Sequence, residues 1–179
     1  MTARLDPVSG VPIQIGSPHH EIHEGDAYEV CFANSALADN GSISFHLTNG
    51  AVKQMHTVVG IGVGGDALVQ IFETPLSATS GTGVTPVNQN RSSSSTSGVT
   101  VLRDATIGTD GTVIKQFMIG GGTGGNASGS DSVFVRELVL PVSGVYEYKL
   151  TNLGGAAKVA SLSVNWYEHA DQTVTDTKD

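Results

Sequence analysis

One cysteine, few aromatic rings and a thin scatter of charge put several protein classes out of reach of this 179-residue chain. Cys31 has no second thiol to meet, which excludes an internal disulfide framework and a cysteine-bound zinc. It lies inside an alternating run, and we expect a small buried hydrophobe there. No window approaches about 18 consecutive apolar residues, so no membrane span is expected. The opening MTARLDPVSGVPIQIGSPHH lacks the apolar stretch of an export signal, and synthesis in a cytoplasm is the expectation. Without secretion, the Asn-x-Ser triplets at Asn40, Asn90 and Asn126 carry no weight as glycan acceptors. Lys and Arg number 9 against 17 Asp and Glu, a net charge of −8 with no basic stripe, so a nucleic-acid backbone is a poor partner.

What the chain has in quantity is glycine, 23 residues of it, together with Ser and Thr between short alternating runs. That pattern predicts an all-β protein, and the length favours a single domain with one sizeable core. Tyr28, Val30 and Phe32 alternate with Glu29, Cys31 and Ala33, and Ile43, Phe45 and Leu47 with Ser44, His46 and Thr48. Further strands are expected over 55–65, 68–73, 99–103, 113–119, 132–140, 145–151 and 158–169, punctuated by turns such as Asn40-Gly41, Asn49-Gly50 and Asp110-Gly111. Gly60 and Gly62 inside a strand mark a bulge or a close backbone approach. No useful amphipathic helix is expected. Two antiparallel sheets packed face to face with jelly-roll connections fit best. Residues 1–18 read as an extended arm, 19–170 as the jelly-roll domain, 120–131 as a Gly-rich loop and 171–179 as a polar tail.

The unusual stretch is 74–98, an arm almost free of large apolar side chains. Loops of such length inside a compact domain are uncommon and tend to be functional or disordered. Prolines, glycines and the amides of Asn88 and Asn90 punctuate this one, and Arg91 is its single charge. We read it as an ordered arm that needs a partner surface, with Arg91 as its fastening point.

Candidate chemistry is sparse. His20-Glu21-Ile22-His23 is one residue short of the His-Glu-x-x-His of a zincin helix, and we expect His20, Ile22 and Glu24 to begin the first strand. His46, His56 and His169 are further imidazoles whose spacing alone shows no convergence. The serines lack a nucleophile elbow, and Gly120–Gly125 lacks the Lys-Ser/Thr of a phosphate loop. Glu137, Glu147 and Glu168 are carboxylates of the kind a glycosidase pairs, as any β protein offers. Alternation places Trp166 in the core, with Tyr167 and His169 facing the other way. We expect no enzyme activity, no cofactor and no bound metal.

Three blocks in order, His19-His20-Glu21-Ile22-His23-Glu24-Gly25, Pro86-Val87-Asn88-Gln89-Asn90-Arg91 with its Ser92–Gly98 continuation, and Asn165-Trp166-Tyr167-Glu168-His169, resemble a family of tailed-bacteriophage virion proteins. The resemblance spans about residues 19–170. It implies a jelly-roll protein of the capsid exterior, a cement or decoration protein arranged as a homotrimer on the major capsid protein. A head-fibre, tail-associated or carbohydrate-binding module is the alternative. On this reading His19, His20, His23, Asn88, Asn90, Arg91, Tyr167 and His169 are the expected subunit or capsid contacts.

Overall fold

The computed structural model describes residues 17–75, 78, 80–121, 129–130 and 137–170. Helix α1 (Ser17–Glu24) leads into β1 (Ala27–Leu37), β2 (Ser42–Thr48), β3 (Gln54–Val63) and β4 (Ala67–Glu73). The long arm contains β5 (Ser80–Val84) and β6 (Val87–Asn88), and β7 (Thr100–Thr106) and β8 (Thr112–Ile119) come after it. β9 (Gly129–Ser130), β10 (Leu138–Leu140), β11 (Val145–Asn152) and β12 (Lys158–His169) complete the described strands.

Two antiparallel sheets result. One runs β10-β3-β12-β1-β6, with β9 also on β3, and the other β5-β7-β2-β11-β4-β8. Without β5, β6, β7 and β9, the remaining strands leave the first sheet for the second and return in the alternation of a jelly roll: β1-β12-β3-β10 faces β2-β11-β4-β8. The arm is inserted between β4 and β8. It crosses to the opposite side of the sandwich, lays β6 beside β1 and β5 beside β7, and leads into β7, which pairs with β2. The β2 edge is thereby paired over Phe45–Thr48, and the β1 edge at Tyr28 and Glu29. Much of the partner surface that the arm needs is its own domain.

Alternation decides the core. Phe45, Leu47, Tyr148, Leu150, Leu162, Val164 and Trp166 all point between the sheets and are buried. The Tyr148 hydroxyl, the polar tip of that core, meets Thr57 Oγ1 at 2.8 Å across the sandwich. Where β1 and β7 close one side, the Arg103 guanidinium lies 3.9 Å from the centre of the Phe32 ring.

Four sequence expectations change or sharpen. The His-rich block is helical, not the start of a strand. Ser17 and Pro18 favour a helix start, and Gly25 at φ 83° ends it. The stop is a Schellman turn, in which Gly25 N–H donates to the Ile22 carbonyl at 3.1 Å and Asp26 N–H to the Glu21 carbonyl at 3.0 Å. Cys31 is exposed, because its strand phase puts it with Glu29 and Ala33 on the outward face of β1. Gly60 and Gly62 make no bulge, since β3 runs beside β12 without a register shift. They make room instead for the hydroxyls of Ser163 and Ser161, which a Cβ would approach within 2.5 and 2.7 Å. Of the strand expected over 132–140, Leu138–Leu140 is β10, while 132–136 lies outside the described residues, as do 1–16, 122–128 and the tail from 171.

Candidate functional site

The three sequence blocks, far apart along the chain, meet at one end of the sandwich. Asn88 is the centre of the first junction. Its Nδ2 donates to the Gly25 carbonyl at 2.7 Å and the Ser95 carbonyl at 3.1 Å, while its Oδ1 accepts from Asn90 N–H at 2.8 Å. Asn90 Nδ2 donates to the His23 carbonyl at 3.0 Å, and Gln89 Nε2 donates to Asn165 Oδ1 at 3.2 Å. Helix end, arm and final strand are therefore one hydrogen-bonded unit.

Glu168 is the centre of the second junction. It shares the inward face of β12 with Trp166, and its carboxylate is buried. Oε1 accepts from Trp166 Nε1 at 3.0 Å and from the Ser97 hydroxyl at 2.5 Å, and Oε2 accepts from Gly98 N–H at 3.0 Å. These donors satisfy the buried charge and tie down the arm's far end. Nearby, burial together with the charges of Glu168 and Asp26 pushes the Tyr28 hydroxyl up to about 12.

Asn88 and Asn90 thus spend their amides inside the chain. Arg91 is exposed, with Nη1 3.4 Å from the Asn88 carbonyl, and it joins none of the ion pairs among the described residues. His20 and His23 lie on the exposed side of α1, and the side chain of His19 lies outside the described residues. His20 Nε2 is 3.4 Å from Glu24 Oε1, and with Glu21 these groups bring ligand atoms within 4.8 Å of one another.

Tyr167 and His169 belong to a different constellation, on the outward face of the first sheet. Register places Tyr167 directly opposite His56, and His169 two pairs further along, opposite Gln54. The rings of His56 and Tyr167 stack with centroids 4.6 Å apart, and those of His56 and His169 lie 4.4 Å apart. Glu137, just before β10, accepts the Tyr167 hydroxyl and faces His56 Nδ1 at 2.5 Å. Burial alone would push the Glu137 carboxyl up, but the hydrogen bonds from Tyr167 and His56 outweigh it and hold the group below its ordinary range. His56 Nε2 faces His169 Nε2 at 2.5 Å, and His169 Nδ1 is 2.9 Å from the Ala170 carbonyl. Beside this chain of groups lies a cleft of about 140 Å³ lined by Ile22, Val58, Gln89 and Trp166 as well as His56 and Tyr167. Sequence spacing could not reveal the cluster, because only the β3–β12 register brings positions 56 and 169 together.

The outward face of the second sheet holds a third polar group. The β7–β8 connection passes from the β2 side to the β4 side, and Ile107 and Asp110 line a cleft with Glu147 and Lys149. His46 and Glu147, opposite one another across β2 and β11, are both buried. Among the described residues, His46 Nε2 and Glu147 Oε2 have no hydrogen-bond partner. Burial lowers the His46 pKa and raises that of Glu147. An acid whose folded pKa is raised costs stability once pH climbs past its unfolded value, because folding then opposes ionisation. Glu147→Gln is accordingly expected to stabilise the protein at pH 7–8, by about 1 kcal/mol or 2–4 °C in Tm, with the gain shrinking toward pH 4; thermal melts across that range measure it. Glu137, Glu147 and Glu168 thus occupy three separate settings with different partners, so the carboxylate pair of a glycosidase does not form among them.

No family model matches the chain, and neither a curated protein nor a solved structure matches it.

Proposed function

We propose that the chain is a structural protein of a tailed-phage virion, a decoration or cement protein that binds the outer surface of the head as a homotrimer and stabilises it. The observation that carries this reading is the meeting of the three blocks. The segments that resemble the virion family, 19–25, 86–98 and 165–169, build one joint through Asn88 and Glu168. The three blocks of that signature thus form one structural unit in this chain.

Other features suit adhesion. The edge strand β8 exposes Val113, Ile114 and Met118, an apolar edge that a neighbouring subunit would cover. The net charge of −8 suits docking on a basic or polar shell. Three copies acting together make a weak footprint effective, and binding only the assembled shell stabilises it by mass action.

The test is solution mass together with electron microscopy of virions whose genome encodes the chain. Light scattering is expected to give three times the 18.4 kDa chain mass, and microscopy to show its density on the outer capsid. Arg91→Ala is expected to reduce trimer or capsid occupancy without unfolding the monomer, since Arg91 is exposed and contributes little inside the chain. A persistent monomer that leaves heads bare would overturn the reading, and glycan-array binding would favour a carbohydrate module instead.

A further inference from the structure

We infer that His56 and His169 form a binding site for a borderline divalent transition-metal ion such as Zn²⁺, seated between their Nε2 atoms. The argument is one of proton placement. His56 Nδ1 lies 2.5 Å from the Glu137 carboxylate, and an ionised carboxylate only accepts, so this nitrogen carries a hydrogen. His169 Nδ1 lies 2.9 Å from the Ala170 carbonyl, which also only accepts, so this nitrogen carries one too. In neutral rings both Nε2 atoms are then bare lone pairs, and they face each other at 2.5 Å. Opposed lone pairs repel. Something positive belongs between them, either a shared proton or a metal ion.

The surroundings favour the metal. Imidazole nitrogen is a good ligand for Zn²⁺, Ni²⁺ and Cu²⁺, and metal-bound histidines usually donate their other N–H to a carboxylate or backbone carbonyl. Here one ring has the carboxylate and the other the carbonyl. Two tetrahedral ligands at about 2.0–2.1 Å from zinc stand about 3.4 Å apart, so the rings need to part by less than about 1 Å. The site lies on the outward face of the first sheet with both rings half-buried, and the remaining coordination positions would fall to water or to an exogenous ligand. Its position on rigid paired strands fixes the two donors in advance. The Tyr167 hydroxyl, also on Glu137, holds the carboxylate that orients His56. Nothing in this depends on the virion reading, because a solitary chain carries both rings.

The test is calorimetric titration of the full chain with ZnCl₂ at neutral pH, alongside His56→Ala, His169→Ala, Glu137→Gln and His20→Ala, with long-range ¹⁵N NMR of the imidazoles. Saturable binding is expected, with shifts of the His56 and His169 Nε2 resonances on adding zinc. Each of the first two substitutions should weaken binding at least tenfold. Glu137→Gln acts through His56 as a positioning change, and about a tenfold loss at unchanged Tm is expected. His20→Ala should bind as the wild type does. Zinc that leaves both imidazole spectra unchanged up to millimolar concentration would mean a shared proton only, and would overturn the inference. So would binding that survives His169→Ala, or binding lost in His20→Ala, which would put the ion on α1.

Discussion

Asn152→Asp is expected to be the most damaging single-atom exchange in the molecule, lowering stability at neutral pH by about 3–5 kcal/mol. Asn152 is fully buried at the end of β11. Its Nδ2 lies within 2.8–3.0 Å of three carbonyls, those of Leu37, Ala38 and Ala156, and its Oδ1 accepts from Gly154 N–H at 2.9 Å. One amide thus joins the β1–β2 turn to the β11–β12 turn. Aspartate has the same shape but removes the donors and sets a negative charge among carbonyl oxygens. A loss of more than about 6 °C in Tm is expected from thermal melts. The sign of the pH dependence is diagnostic: acidification protonates the new carboxyl, returns one O–H donor and narrows the gap to wild type. A gap that stays constant from pH 8 to pH 4.5 would show that charge is not the cause.

Glu168→Ala is expected to cost about 3 kcal/mol, or about 6–12 °C in Tm, and to loosen the arm. The substitution removes the acceptor for Trp166 Nε1, the Ser97 hydroxyl and Gly98 N–H. The buried indole N–H is then left without its acceptor, and the Ser97 hydroxyl and Gly98 N–H no longer hold the arm to β12. Glu168→Gln should be milder, because its remaining oxygen can keep the Trp166 and Ser97 bonds and loses only the one to Gly98. Limited proteolysis supplies the second readout, with cleavage within 92–98 faster in the alanine variant than in the glutamine variant. Equal melting temperatures for wild type and Glu168→Ala would remove Glu168 from its place as the arm's anchor.

The strands and their faces were readable because a strand's signal is local. Alternation over five or six residues set Tyr28, Phe45 and Trp166 apart from their polar neighbours, and the structure buries all three. The helix was missed although its punctuation was present. Ser17-Pro18 and Gly25 are good start and stop signals, but an eight-residue window with His20, Ile22 and Glu24 satisfies period two as well. Cys31 shows the opposite error. The residue type argued for burial, while the strand phase, shared with Glu29 and Ala33, argued for exposure, and the phase governs which way a side chain points.

The candidate sites were illegible for a physical reason. His56 and His169 are 113 positions apart, and Glu168 stands 70 positions from Gly98. Their meetings depend on which strands pair and in what register, and a shift of one residue would turn every one of these side chains to the other face. Periodicity and turn chemistry act over neighbouring residues, and they were enough to specify an all-β sandwich, its inward faces and a long polar insertion. That the insertion folds back against β1 and β7, that Asn88 and Glu168 hold it there, and that two distant imidazoles face each other all follow from strand order and register, which no local preference encodes.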